Sequence, residues 1–123
     1  NNNIDDNGSL RISFWTKTDG SSICPKGFRV PTKDELEAET TAIDGIEDVT
    51  NAYMAFDNFL KLPSNGYRDY SSGNIINAGR DSSLWSASVS NTSISLSNCL
   101  TLDNGNAIWK NDNRANGRVV RYI

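Results

Sequence analysis

Residues 93–102 alternate cleanly between apolar and polar side chains and run directly into Asn104 and Gly105, which leaves the second half of the chain few ways to fold. Ile94, Leu96, Leu100 and Leu102 fall on one face of an extended segment. Ser93, Ser95, Ser97, Cys99 and Thr101 fall on the other, and Asn98 alone breaks the apolar row. Asn-Gly tolerates the positive φ that both central positions of a type I′ turn require, so the sequence predicts a β-hairpin with its returning strand over 107–110. The surrounding Ser-, Asn- and Gly-rich sequence, anchored by Leu84, Trp85 and Val89, reads as short strands joined by polar loops, with a last strand over 117–123.

The first half is of a different kind. Thr32 is a good N-cap, and Glu35, three positions on, can return its carboxylate to the Thr32 N–H, so a helix is expected from Lys33 to about Thr41. A second helix is expected over 51–60, capped by Thr50, with Ala52, Ala55, Phe56 and Phe59 as its apolar stripe. Tyr53 and Met54 lie off that stripe and are expected to pack against a neighbouring loop. Asn3, Asp5, Asn7 and Gly8 offer turn chemistry. From Leu10 the order Leu10, Ile12, Phe14 against Arg11, Ser13, Trp15 predicts a strand. The order strand, helix, helix and then four or five strands predicts one α+β domain over 1–123, with 1–9 a turn or linker from a longer parent chain.

Composition excludes several functions. Fifteen acidic against twelve basic residues give a net charge of −3, the wrong sign for a nucleic-acid partner. No apolar run approaches the roughly 20 residues of a membrane span. The chain has no histidine, which removes the Ser/His and Cys/His nucleophile pairs and every zinc site built on imidazole. The acidic start echoes a calcium loop, but its twelfth position is Phe14 where a bidentate Glu is required. Asp34, Glu35, Glu37 and Glu39 read as a solvated helix start that suits the helix dipole. Arg121 is the expected ion-pair partner of Glu35 or Glu37, and Trp85 the expected core residue. No metal, cofactor or catalytic residue is expected.

Several motifs in order carry a resemblance. Cys24-Pro25-Lys26-Gly27-Phe28-Arg29-Val30-Pro31-Thr32 is followed by Leu62-Pro63 and Gly66-Tyr67-Arg68, by Trp85-Ser86-Ala87, and by Asn113 to Gly117 with Val120 and Arg121. Over about residues 8–123 the chain resembles the Fibrobacter succinogenes major paralogous domain family. That resemblance implies a C-type-lectin-like fold, with two helices packed on short antiparallel sheets. It also implies a place at the tip of a phage tail fibre or on a bacterial surface protein, and in some relatives diversification by retroelements. A homotrimer, joined to the rest of a fibre or surface protein, is the assembly it suggests. The family's last strand commonly ends in a cysteine where this chain has Tyr122, so two free thiols at Cys24 and Cys99 are favoured over a bond between them. Arg118 stands where the family usually has an aromatic or aliphatic residue, which leaves the burial of that position open.

Calcium-mediated sugar binding is disfavoured, because the nearest approach to its Trp-Asn-Asp step is interrupted by Lys110 and none of the three prolines lies in a Glu-Pro-Asn or Gln-Pro-Asp setting. The expected binding surface is instead the polar and aromatic residues of the C-terminal half: Tyr70, Asn91, Asp103, Asn106, Trp109, Asn111, Asp112, Asn113 and Arg114. Aromatic rings supply rigid contact area and amides adaptable hydrogen bonds. Such a surface is expected to recognise a glycan or protein on a cell. The alternatives are a structural cap or decoration module of a fibre and, less well supported, an enzyme like the formylglycine-generating enzymes, whose reactive cysteine arrangement is missing here.

Overall fold

The computed structural model describes residues 7–40, 49–57 and 61–123. Expectations for Thr41, Phe59 and the turn residues Asn3 and Asp5 lie outside the described residues. Among the described residues three helices, α1 (Ser9–Trp15), α2 (Lys33–Thr40) and α3 (Ala52–Asp57), precede six strands. Strands β1 (Tyr67–Arg68) and β2 (Ile75–Ile76) form a small antiparallel ribbon. Strands β3 (Ser82–Val89), β4 (Leu96–Leu102), β5 (Ala107–Asn113) and β6 (Val119–Val120) form a sheet in the order β5-β4-β3-β6, with β6 parallel to β3. The chain is therefore an α+β domain.

Register decides what each face of the sheet buries, because residues paired across antiparallel strands share a face. Leu84, Leu100 and Trp109 form one row, and Leu84 and Leu100 pack with Leu36, Val49, Ala55, Leu62 and Leu102 into the larger core. Trp85, Cys99 and Lys110 form the next row, on the opposite face. A second, smaller core of Cys24, Val30 and Ala87, with Trp15 and Val120 against it, accompanies them. The alternation over 93–102 hence does not separate core from solvent; Ser97, Cys99 and Thr101 are buried as well as Leu100 and Leu102.

The expected capping box is present. The Thr32 N–H donates to Glu35 Oε2 at 2.8 Å and the Glu35 N–H to Thr32 Oγ1 at 3.3 Å. Glu35 also takes a two-pronged contact from Arg29, at 2.8 and 2.5 Å, so this one of the two acids expected to pair with Arg121 is occupied by a neighbour in sequence. The Arg29 fork, aided by the Thr32 N–H, holds the Glu35 carboxyl down to about 2 from its ordinary 4.5. A lowered carboxylate contributes stability that is complete above pH 4.5 and is lost as the pH falls towards 2. The Glu35 side chain is 37% exposed, so solvent screening limits the contribution to about 1 kcal/mol. Glu35→Gln is thus expected to lower stability by about that amount at neutral pH, with the gap to wild type closing in acid. Urea titrations at a series of pH values measure it, and a gap independent of pH would overturn the assignment.

Local expectations for the segments of α1 and α3 are corrected. The segment expected as a strand from Leu10 is helix α1, with Arg11 buried and Leu10, Ile12 and Phe14 at 49%, 37% and 42% exposure. Arg11 and Trp15 meet at the i, i+4 spacing of a helix, the guanidinium carbon 3.8 Å from the ring centroid. Arg11 also donates to the carbonyls of Ser88 and Ser86, each at 3.2 Å, and to Ser97 Oγ at 2.7 Å. This anchor outweighs the alternating pattern. At the start of α1, Gly8 has φ 72°, and a Cβ there would lie 2.3 Å from Val89. The cap of α3 is Asn51, whose Oδ1 accepts the Met54 N–H at 3.0 Å, while the Thr50 hydroxyl turns to the Met54 sulfur. Ala52 and Ala55 are buried as expected, yet Phe56 is 56% exposed and Met54 packs on the core.

The hairpin is found where it was expected, with a different turn. Leu102 pairs with Ala107, and neither Asn104 nor Gly105 has positive φ. Asp103 replaces the type I′ geometry: its Oδ1 accepts the Gly105 and Asn106 N–H groups at 2.9 and 2.8 Å, and its own N–H donates to the Asn106 carbonyl at 3.0 Å. Asp side chains that bond the backbone two residues on commonly form such turns.

Candidate functional site

Along the face that carries Leu100 and Trp109, the next paired row is Asn98 and Asn111. The apolar layer ends at Trp109, and a cavity of about 350 Å³ begins there. Asn98 and Asn111 form its floor, joined by a hydrogen bond from Asn98 Nδ2 to Asn111 Oδ1. Trp109 forms one wall while packing its other side on the core. Val89 and Asn91, at the end of β3 and just beyond it, form another wall, and Lys110 borders the cavity from the edge strand.

Lys33 closes the cavity from α2. Its backbone N–H donates to Ser88 Oγ at 3.0 Å, which seats the start of the helix on β3. Its ammonium then lies 5.6 Å from the centroid of the Trp109 ring. The turn bearing Asn91 is fixed by its own hydroxyls, since Ser90 Oγ contacts Thr92 Oγ1 at 2.7 Å and accepts the Thr92 N–H at 3.1 Å. A second depression of about 450 Å³ shares Val89 and Asn91 and continues towards Ile94. Arg114 reaches that rim by donating to the Ile94 carbonyl at 2.8 Å.

The nine residues expected as a binding surface do not form one patch. Asn91, Trp109 and Asn111 share the cavity, while Arg114 lies at the rim of the adjoining depression. Asp103 and Asn106 sit in the turn before β5, Asn106 three residues from Trp109 and five from Asn111, roughly 10–17 Å along an extended strand. Tyr70 is 58% exposed on the loop after β1, its N–H donating to Asn116 Oδ1 at 3.0 Å. The Asn113 Oδ1 accepts the Ala115 N–H at 2.9 Å. Asp112 is committed to Arg118, whose guanidinium side chain is 3% exposed, and to Asn116 Nδ2 at 3.1 Å. The burial left open for Arg118 is settled: it lies inside, 4.4 Å from the Tyr67 ring centroid, with its charge met by Asp112 and a further hydrogen bond to Ser83 Oγ.

Lys33 and Asn98 are cavity residues that were not among those expected. Asn98 carried a signal, as the one polar interruption of an apolar row; Lys33 carried none, because its place depends on the docking of α2. Cys24 and Cys99 are both buried and unpaired. Burial raises the Cys24 thiol and pushes Cys99 up to about 11, which works against thiolate chemistry at either. No helix of the described residues is long and apolar enough to cross a membrane. Compared with protein-family models, curated proteins and solved structures, the chain matches none.

Proposed function

We propose that this chain is a receptor-binding or adhesion domain of C-type-lectin-like fold, carried at a phage fibre tip or on a bacterial surface protein, that recognises a cell-surface glycan or protein. The observation that carries this reading is the cavity at the end of the larger core, where an aromatic wall, three amides and a lysine meet on rigid elements. Specific sites combine apolar surface with a few placed polar groups. The two cysteines, the chain's strongest potential nucleophiles, are buried with raised thiol pKa values, which favours binding over catalysis.

Adhesion of the purified domain to candidate host cells tests the reading. Asn91 and Asn111 are exposed, so Asn91→Ala with Asn111→Ala is expected to change stability by less than about 0.5 kcal/mol each. The same pair is expected to lose about 1–3 kcal/mol of binding. Trp109→Ala is a poorer probe because the ring also packs on the core. Full adhesion by the folded double variant would place recognition elsewhere. A structural cap is the second reading, favoured by the edge-on pair Phe28 and Tyr122, 43% and 48% exposed, which a neighbouring part of a fibre would cover.

A further inference from the structure

We infer that the cavity takes an acidic sugar, a pyranose bearing a carboxylate, and that Lys33 holds the acid. This rests on the cavity being the recognition site and names its ligand class.

Charge is the first indication. The chain carries a net −3, yet the cavity is lined by no carboxylate, and Lys33 brings an ammonium to it; Lys110 borders it only by its place in the strand, its row lying on the opposite face of the sheet. The Lys33 ammonium rests over the Trp109 ring. An exposed cation–π contact is weak beside a charge-assisted hydrogen bond, so a ligand carboxylate can draw the ammonium from the ring. With one ammonium on this face, the cavity matches the single charge of a carboxylate better than the roughly −1.5 to −2 of a phosphate monoester.

Hydrogen-bond polarity points the same way. Asn98 Nδ2 donates to Asn111 Oδ1, which takes one of that oxygen's two acceptor positions and leaves the Asn111 amide N–H groups available to a ligand. Asn111 and Lys33 therefore both bring donors to the cavity, which suits a ligand that accepts. Asn91 and the Asn98 carbonyl add the mixed donor and acceptor chemistry that vicinal hydroxyls need. Once the ammonium has turned, the Trp109 ring offers a face for the apolar C–H side of a sugar ring. A volume of about 350 Å³ is at the small end for ligand sites and suits one or two such rings.

Amide-resolved NMR titration of the whole domain tests this with glucuronate, galacturonate, glucose and acetate as probes. A uronate is expected to shift the amides of Lys33, Asn91, Trp109 and Asn111 at millimolar concentration, with glucose at least about tenfold weaker. Lys33→Gln, at a helix start that keeps its backbone contact to Ser88, is expected to weaken uronate binding by about tenfold and so to remove the preference for uronate over glucose. Equal binding of uronate and glucose, indifferent to Lys33→Gln, overturns the acid assignment while the cavity remains the site. Acetate binding as well as the uronates reduces the site to a bare charge and also overturns it. If no probe shifts these residues up to about 50 mM, the sugar assignment fails. The adhesion assay on the Asn91 and Asn111 variants then decides separately whether the cavity is the recognition site.

Discussion

Trp85→Ala is expected to lower the stability of the domain by about 3–5 kcal/mol, as truncation of large buried aromatics does. Trp85 is 4% exposed in the central strand of the sheet, with Cys99 and Val120 beside it in register. Two buried guanidinium groups approach its ring, Arg11 at 5.4 Å and Arg118 at 5.5 Å from the centroid. Truncation therefore leaves a void and also removes the π-face against which two charges are held. Urea unfolding with the slope monitored separates lost stability from a changed unfolded state. Asn111→Ala, at an exposed position, serves as the control and is expected to stay within about 0.5 kcal/mol. An unchanged midpoint for Trp85→Ala would mean that this ring does not organise the core.

Arg118→Ala is expected to cost about 3 kcal/mol, the lower end for breaking a buried pair, because Asp112 keeps 28% exposure. The loss has two parts: Asp112 is left without its cation, and Ser83 Oγ without its donor. Charge removal on both sides is a different matter. Arg118 Nε is buried with no partner among the described residues, so the network is incompletely satisfied, and Arg118→Met with Asp112→Leu is expected to recover much of the loss. Burial works to raise the Asp112 carboxyl, but the Arg118 contact and the Asn113 N–H outweigh it and hold it below the usual range. The pair's stability is accordingly present above the ordinary carboxylate pKa and lost as the pH falls below it. A double variant no more stable than Arg118→Ala would show that packing, rather than the unpaired charge, sets the cost.

What the sequence disclosed was mostly local. Thr32 and Glu35 are three residues apart, and their reciprocal bonds need nothing beyond the first turn of the helix. The hairpin was legible for the same reason. Its turn type was not, since Asp103 supplies the hydrogen bonds that positive φ would otherwise have provided. Helix α1 was misread because its anchor, Arg11, finds its partners 75, 77 and 86 positions away. The same limit applies to the cavity. Trp109 and Asn111 share a strand and could be proposed together, but Lys33 joins them only through the docking of α2 against β3.

The anchoring of Arg11 also bears on the order in which the molecule assembles. A helix of seven residues is well below the roughly 12–15 at which isolated helices become marginal in water. Its acceptors, the carbonyls of Ser86 and Ser88 and the Ser97 hydroxyl, belong to two neighbouring strands and come together only when those strands have paired. The first described helix of the chain is thus among the last to gain its reward on folding. During synthesis the Arg11 anchor cannot be complete before Ser97 has emerged.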